Sequence, residues 1–214
     1  MHLAETPLFR SIDADDVQAM LSCLGTAERT YHRDDRVLRA GDVASRIGVL
    51  LEGRLHIETA DAWGRITVLE SVSPGEPFAV AYACGNRGVL DVDVVADADS
   101  VVATLEVTRI MHPCPKQCSC HAQLVRNLLV SMANKNVALN RRAVAVAPKS
   151  VRGKVLAYLS LQQKTHGSNE FSIPFTQEKL ANYLGIDRST LTAELSALRR
   201  EGIINYRGKR FELL

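Results

Sequence analysis

The sequence predicts an α+β fold with a β-rich N-terminal part, one long helix and a small helical C-terminal part. Short β-like runs separated by turn residues fill the chain between Arg36 and Thr108. A helical pattern of about 30 residues follows Pro115. Residues 173–214 have the pattern of two short helices broken by a glycine turn, followed by a two-stranded ribbon with basic residues at its tip. We therefore expect a β domain, a connecting helix and a helical domain, in that order.

The β-rich part begins with a short helix predicted over Asp13–Cys23, in which Asp13 is the N-cap. The runs with β-like composition are Arg36–Arg39, Arg46–Leu51, Arg54–Thr59, Ile66–Leu69, Val92–Ala96 and Ser100–Leu105. Turn residues lie between them at positions 41–42, 52–53, 61–64, 74–75 and 97–99. Many short strands at regular turn spacing predict a sandwich or barrel, and we expect a jelly-roll β-barrel.

The long helix after Pro115 has a broad apolar surface, which includes Leu124, Val125, Leu128, Leu129 and Met132. One interpretation is that it packs only on its own domain. The other is that it pairs with its twin in a homodimer and links the two domains of each chain. Pro148 ends the pattern, and the next helix is predicted over Ser150–Gln163, so the hinge is expected near residues 144–149.

The C-terminal part carries the most specific pattern in the chain. Its helices are predicted over Thr176–Leu184 and Asp187–Glu201, with a turn at Gly185. Thr176 and Asp187 are N-cap residues, and Gly202 follows the second helix. The buried stripe of that helix is Leu191, Leu195 and Leu198. This order predicts a winged helix-turn-helix, whose second helix enters the major groove of double-stranded DNA.

Polar and basic residues lie where such a fold would meet DNA. The predicted DNA-binding set is Thr176, Gln177, Arg188, Ser189, Thr190, Thr192, Arg207, Lys209 and Arg210. Arg188 is the candidate for a bidentate contact to guanine. Thr190 and the helix N-terminus suit phosphate, as do the three basic residues of the ribbon. The alternative interpretation is a helical hairpin with a solvated charged face.

Charge is distributed unevenly along the chain. Residues 141–214 contain 13 Lys and Arg against 6 Asp and Glu, a net of +7, while residues 1–140 contain 13 against 18, a net of −5. A basic C-terminal part on an acidic N-terminal part is expected when only one domain contacts phosphate. A general DNA-packaging protein is the competing interpretation.

Other classes of protein find little support in the sequence. Residues Met1–Arg10 lack the apolar core of a signal peptide, and no apolar run approaches the roughly 20 residues of a membrane span. Five cysteines without an export signal indicate a reducing, cytoplasmic location. Paired carboxylates, a nucleophile–base set and a phosphate-binding loop are all missing from the sequence, so we expect no enzyme activity.

Several segments together resemble one family over nearly the full length. They are Gly41-Asp42 and residues 49–55, 72–78, 176–181 and 199–204. The chain resembles the Crp/Fnr family of bacterial transcription regulators. The resemblance implies a cyclic-nucleotide-binding-like sensor domain over 1–112, a dimerisation helix and hinge over 113–147, and a winged helix-turn-helix over 148–214. It further implies homodimers that bind near-palindromic promoter sites, contact RNA polymerase and respond to a small-molecule effector.

Two departures from the family pattern restrict that implication. Members that bind cyclic AMP carry a Gly-Glu pair and, further along, Arg-Ser or Arg-Thr, where this chain has Ala79-Val80 and Leu90-Asp91. An aspartate there would repel a cyclic phosphate, so we expect a different effector. The residues predicted to line its pocket are Phe78, Tyr82, Arg87 and Leu90. In the second helix, Ser189 and Ala193 replace an acid and a second arginine common in the family, which predicts a different operator.

A dense group of thiols and imidazoles precedes the long helix. Cys114, Cys118, Cys120 and His121 are candidates for a metal or redox centre, because thiolate and imidazole bind zinc, iron–sulfur clusters and haem iron. This alternative makes the protein a thiol or metal redox sensor. In the other interpretation the cysteines are small apolar residues packed under the β domain. His56 and His166 are expected to be ordinary surface or core residues.

Overall fold

The computed structural model describes residues 1–85, 88–112 and 119–214. These residues form two compact units, Met1–Ala133 and Asn134–Leu214. Cys114 and Cys118 of the predicted thiol group, and Arg87 of the predicted effector pocket, lie outside the described residues.

The first unit is built mainly from short strands. Two 3-10 turns, Leu3–Glu5 and Pro7–Phe9, precede helix α1 (Ala14–Cys23). The strands are β1 (Ala27–Tyr31), β2 (Arg36–Leu38), β3 (Arg46–Glu52), β4 (Leu55–Ala60), β5 (Ile66–Val72), β6 (Pro77–Phe78), β7 (Asp93–Ala96) and β8 (Ser100–Glu106). Helix α2 (Val80–Cys84) follows β6, and helix α3 (Val107–Met111) follows β8.

Over the described residues these strands form two four-stranded antiparallel sheets, in the orders β1-β8-β3-β6 and β2-β7-β4-β5. One apolar cluster, which includes Leu50, Leu55 and Val94, joins residues of both sheets. The predicted jelly roll is confirmed, as two separate sheets rather than a closed barrel. Burial differs from strand to strand: β3 buries five consecutive residues, whereas most of β5 is exposed.

Helix α4 (Ser119–Val146) is the predicted long helix. Its N-terminal half packs Leu124 and Leu128 into the core of the first unit, where they are almost completely buried. Its last turns belong to the second unit, whose core includes Ala145. Among the described helices, none combines the length and the apolar character needed to span a membrane.

The second unit has the predicted winged helix-turn-helix order. Its elements after α4 are α5 (Val151–His166), β9 (Glu170–Ser172), α6 (Gln177–Leu184), α7 (Arg188–Arg200), β10 (Ile204–Arg207) and β11 (Arg210–Leu213). The strands pair in the order β10-β11-β9. The core lies between the three helices and this sheet, and its largest fully buried side chain is that of Tyr158.

Candidate nucleic-acid interface

The glycine turn between α6 and α7 fixes the crossing of the two helices. Gly185 adopts φ = 62°, a left-handed conformation that glycine enters at little cost and that ends α6. The Thr176 hydroxyl caps the other end of α6 by accepting the amide of Lys179 at 3.3 Å. Ala181, fully buried, provides the small side chain expected at a close helix crossing.

Helix α7 buries one face and leaves the opposite face open. Leu191, Leu195 and Leu198 are fully buried, which confirms the predicted apolar stripe. Asp187 occupies the N-cap position as predicted, although its side chain makes no capping hydrogen bond. The exposed residues of the first two turns are Arg188, Ser189, Thr190, Thr192 and Ala193. Because the leucine stripe fixes the rotation of α7, these residues necessarily point away from the core.

The Arg188 guanidinium is available to a ligand. Its side chain is exposed, and none of the described residues forms an ion pair with it. The Arg188 carbonyl oxygen accepts the Thr192 hydroxyl at 2.9 Å, so the proton of that hydroxyl is already engaged within the helix. The Thr192 oxygen can still accept a hydrogen bond. The N-terminal end of α7 therefore presents one unpaired cation and several hydroxyl groups.

The ribbon of β10 and β11 places basic residues beside one another at its tip. Arg207 pairs with Arg210 in the strand register, and Gly208 between them adopts φ = 62°. Both arginines and Lys209 are exposed. The Lys209 ammonium donates to the Pro174 carbonyl at 3.3 Å. The backbone carbonyl of Lys209 accepts the Ile173 amide at 2.9 Å. These bonds hold the tip against the segment that leads into α6.

Aromatic rings support the ribbon from its buried face. Phe171 and Phe211 stack with centroids 6.5 Å apart, and Tyr206 stacks on Phe211 at 5.5 Å. The Arg199 guanidinium lies 5.8 Å from the Tyr206 ring, a cation–π contact that joins the sheet to α7. The basic tip and the exposed face of α7 therefore belong to one packed structure.

The predicted effector pocket is partly filled by its own side chains. Phe78 is buried against Gly48, where an added Cβ would lie 2.1 Å from the ring, and Leu90 is 2% exposed. The Tyr82 hydroxyl donates to the Asp91 carboxylate. Burial, with the hydrogen bond and charge of Asp91, raises the pKa of Tyr82 to about 12. An anionic ligand group at this place would meet the carboxylate of Asp91.

The described part of the predicted thiol group makes structural contacts. Cys120 is half-buried and packs on the core of the first unit. The Nε2 atom of His121 lies 2.7 Å from the Ile110 carbonyl, so that nitrogen donates a proton and is not free for a metal. Within the described residues, no three histidine, cysteine or acidic side chains are placed to hold a metal ion. The redox alternative stays a prediction, because Cys114 and Cys118 are not described.

The structure contains a charged cluster around β4 that the sequence analysis does not predict. The His56 ring lies between two carboxylates, with Nδ1 2.7 Å from Asp97 and Nε2 2.9 Å from Glu58. Arg54 pairs with Asp97 at 3.2 Å. The alternation of His56 and Glu58 on one strand face was a usable signal, since residues two apart point the same way. Asp97 is 41 residues away from His56 in the chain, so no local pattern in the sequence indicates that the two side chains meet.

Two family models match the chain. Residues 153–214 match the Crp-like helix-turn-helix domain, and residues 28–112 match the cyclic nucleotide-binding domain. A probable transcriptional regulator, flp, of Lacticaseibacillus casei is 26% identical over 213 residues, which cover 99% of this chain and 93% of that protein.

Solved structures share the fold at low identity. The c-di-GMP responsive global regulator CLP of Xanthomonas campestris is 19% identical with a TM-score of 0.59, and the match covers 94% of this chain and 99% of CLP. The catabolite activator protein of Thermus thermophilus is 20% identical with a TM-score of 0.51, and the match covers 98% of this chain and 94% of that protein.

Proposed function

The chain belongs to the Crp/Fnr family of transcriptional regulators, and on that premise we propose that it is a homodimer that binds near-palindromic promoter sites under control of a small-molecule effector. One observation carries the sequence-specific part. Helix α7 presents an exposed Arg188 without an ion-pair partner among the described residues, while its opposite face is fixed in a core. A rigid helix with an available guanidinium at its N-terminal end suits reading of the major groove.

The contacts divide into base reading and backbone binding. Arg188 reads a guanine through two hydrogen bonds, and Ser189 and Thr192 face neighbouring base edges. The remaining predicted residues bind phosphate oxygens and set the register of the domain on the duplex: Thr176, Gln177, Thr190, Arg207, Lys209 and Arg210. Because backbone contacts are independent of sequence, specificity rests on α7.

A stripe on α4 supports the homodimer. Val130, Val137 and Val144 are 52%, 49% and 60% exposed and follow one another at intervals of seven residues. Ala133 and Asn140, also exposed, fall between them at the spacing of the second core position of a heptad. This stripe differs from the face that buries Leu124 and Leu128. A two-fold dimer along it presents two α7 helices, which is what a near-palindromic site requires.

We assign control by the effector to the first unit. The proposed domains are a sensor over 1–112, a dimerisation helix and hinge over 113–147 and a DNA-binding domain over 148–214. The proposed effector is not a cyclic nucleotide, because the Tyr82–Asp91 pair places a carboxylate in the predicted effector pocket, where it would repel a cyclic phosphate. The DNA-bound dimer contacts RNA polymerase, as the family does. A reducing cytoplasm is the compartment that fits this role.

Selection from a random DNA pool tests the proposed function. The wild-type protein should enrich a near-palindrome with half-sites about one helical turn, roughly 10 base pairs, apart. Competition should then show a preference of about a thousandfold or more for that site over random DNA. A version with one scrambled half-site is the control. Equal affinity for selected and random DNA would identify a packaging protein and contradict the proposal.

A further inference from the structure

One arginine outside the proposed DNA surface holds α7 at two places. Arg152 lies in the first turn of α5, and its Nε donates to a Glu194 carboxylate oxygen at 2.7 Å. Its Nη2 donates to Glu201 at 2.6 Å. Glu194 lies in the middle of α7, and Glu201 follows its last residue, two helical turns further on. A single planar guanidinium therefore fixes both the distance and the rotation of α7 relative to α5.

The position of Arg152 is unfavourable for a cation without these partners. The N-terminus of a helix carries a partial positive charge, which repels an arginine in the first turn. That end of α5 already has a cap, since the Ser150 hydroxyl accepts the Gly153 amide at 3.0 Å. The two carboxylates offset the repulsion. They raise the pKa of Arg152, Glu201 more than Glu194, and Arg152 lowers the pKa of Glu201 in return.

The start of α5 is itself a tight corner of the chain. An added Cβ at Gly153 would lie 2.8 Å from the Pro148 ring and 2.9 Å from the Ser150 hydroxyl, so the segment that follows α4 packs directly on the first turn of α5. Arg152 leaves that same turn. The corner after α4 and the helix that carries Arg188 are thus joined through one side chain.

We infer that Arg152 is a positioning residue for DNA recognition, which holds α7 at the orientation in which Arg188 meets base edges and does not itself bind DNA. The inference rests on the proposed function of α7. In the alternative explanation, Arg152 acts only through its charge or through a direct contact to a DNA phosphate.

Neutral variants separate these explanations. If charge alone mattered, removal of the cation and removal of an anion would change the affinity for DNA in opposite directions. Loss of the cation in Arg152→Gln would weaken binding of anionic DNA, whereas loss of an anion in Glu194→Gln or Glu201→Gln would strengthen it. If the three residues position α7, all three variants weaken binding of the selected site by about three- to tenfold. Glu170→Gln is the matched control, since it removes the same charge from an exposed residue of β9 that has no ion pair among the described residues.

The affinities are measured over a range of salt concentrations, with the circular dichroism spectrum and Tm of each variant. Arg152→Gln should leave the slope of log K against log salt unchanged, whereas loss of a phosphate contact lowers it by about 1. Arg152→Lys, which can pair with one carboxylate at a time, should restore part of the affinity.

Tighter or unchanged binding by Glu194→Gln and Glu201→Gln would overturn the inference, as would a lowered salt slope for Arg152→Gln. A change in Tm without a change in affinity would overturn it too, since the pair would then be structural only. Failure of the proposed function looks different, because the wild-type protein itself would then fail to prefer the selected site.

Discussion

At the scale of single residues, His56 shows how two carboxylates favour a protonated ring. Glu58 and Asp97 are hydrogen-bond acceptors when ionised, and both ring nitrogens of His56 can donate to them only when the ring is an imidazolium. Burial lowers the pKa of His56, but the hydrogen bonds to Glu58 and Asp97 and their charges outweigh it, and the pKa lies above its ordinary value of 6.5. The first unit therefore contains a charge that depends on pH.

The raised pKa of His56 predicts stability that is lost at higher pH. Below pH 6.5 the imidazolium is present in both folded and unfolded chains and the full stabilisation applies. As the pH rises through the folded-state pKa, that contribution disappears. The difference in unfolding free energy between wild type and His56→Gln should shrink accordingly when denaturant curves are measured across this window. His112→Gln is the control, because His112 is exposed and has no ion pair among the described residues. A difference that stays constant or grows with pH would be incompatible with the charged cluster.

At the scale of elements, β3 and β6 depend on a side chain packed against a glycine. Gly48 pairs with Phe78 in the strand register, and the Phe78 ring occupies the space where a Cβ at position 48 would lie. Gly48→Ala should therefore destabilise the protein by about 1–3 kcal/mol through overpacking. Unfolding in denaturant measures this cost.

A compensating variant makes the prediction specific. Phe78→Leu removes the part of the ring nearest to position 48 and should cost stability in the wild-type background. Combined with Gly48→Ala, it should recover part of the loss, so that the double variant is more stable than the sum of the single effects indicates. Strictly additive costs would show that the contact is not the cause.

Elements with local signals were predictable and others were not. The C-terminal helices agreed with prediction because capping residues, a glycine turn and a leucine stripe all lie within a few residues of one another. Strand β1 was missed, since Ala27–Tyr31 is an edge strand that is largely exposed and has no apolar alternation. Strand β6 has two residues and forms only through its pairing with β3. Tertiary pairing, rather than local sequence, makes both of them strands.

The features of the candidate site likewise divide into those that local sequence predicts and those that depend on residues far apart in the chain. Exposure of Arg188 followed from the stripe on its own helix, so the sequence was sufficient to predict it. The double bridge of Arg152 was not visible, because Glu194 and Glu201 are 42 and 49 residues away in the chain. The burial of Phe78 in the predicted effector pocket was likewise hidden, since it depends on the pairing of β6 with β3.

At the scale of the whole molecule, α4 contributes residues to both compact units and carries the proposed dimer stripe. Val137→Glu places a charge in the middle of that stripe and should shift the protein from dimer to monomer, because an unpaired carboxylate is costly to bury. Sedimentation equilibrium measures the change. Ala138→Glu, at the next and also exposed position, should leave the dimer intact. Dimers of equal stability in both variants would place the interface elsewhere.

Arg188→Ala tests most directly whether α7 reads base sequence through Arg188. Affinities are measured for the selected site and for its single-base variants, with Arg207→Ala as the control for a phosphate contact. Arg188→Ala should lose about 1–3 kcal/mol on the selected site and relax the preference at one base position of each half-site, whereas Arg207→Ala should weaken all sequences alike. If Arg188→Ala weakened every sequence equally and kept all base preferences, Arg188 would not read a base.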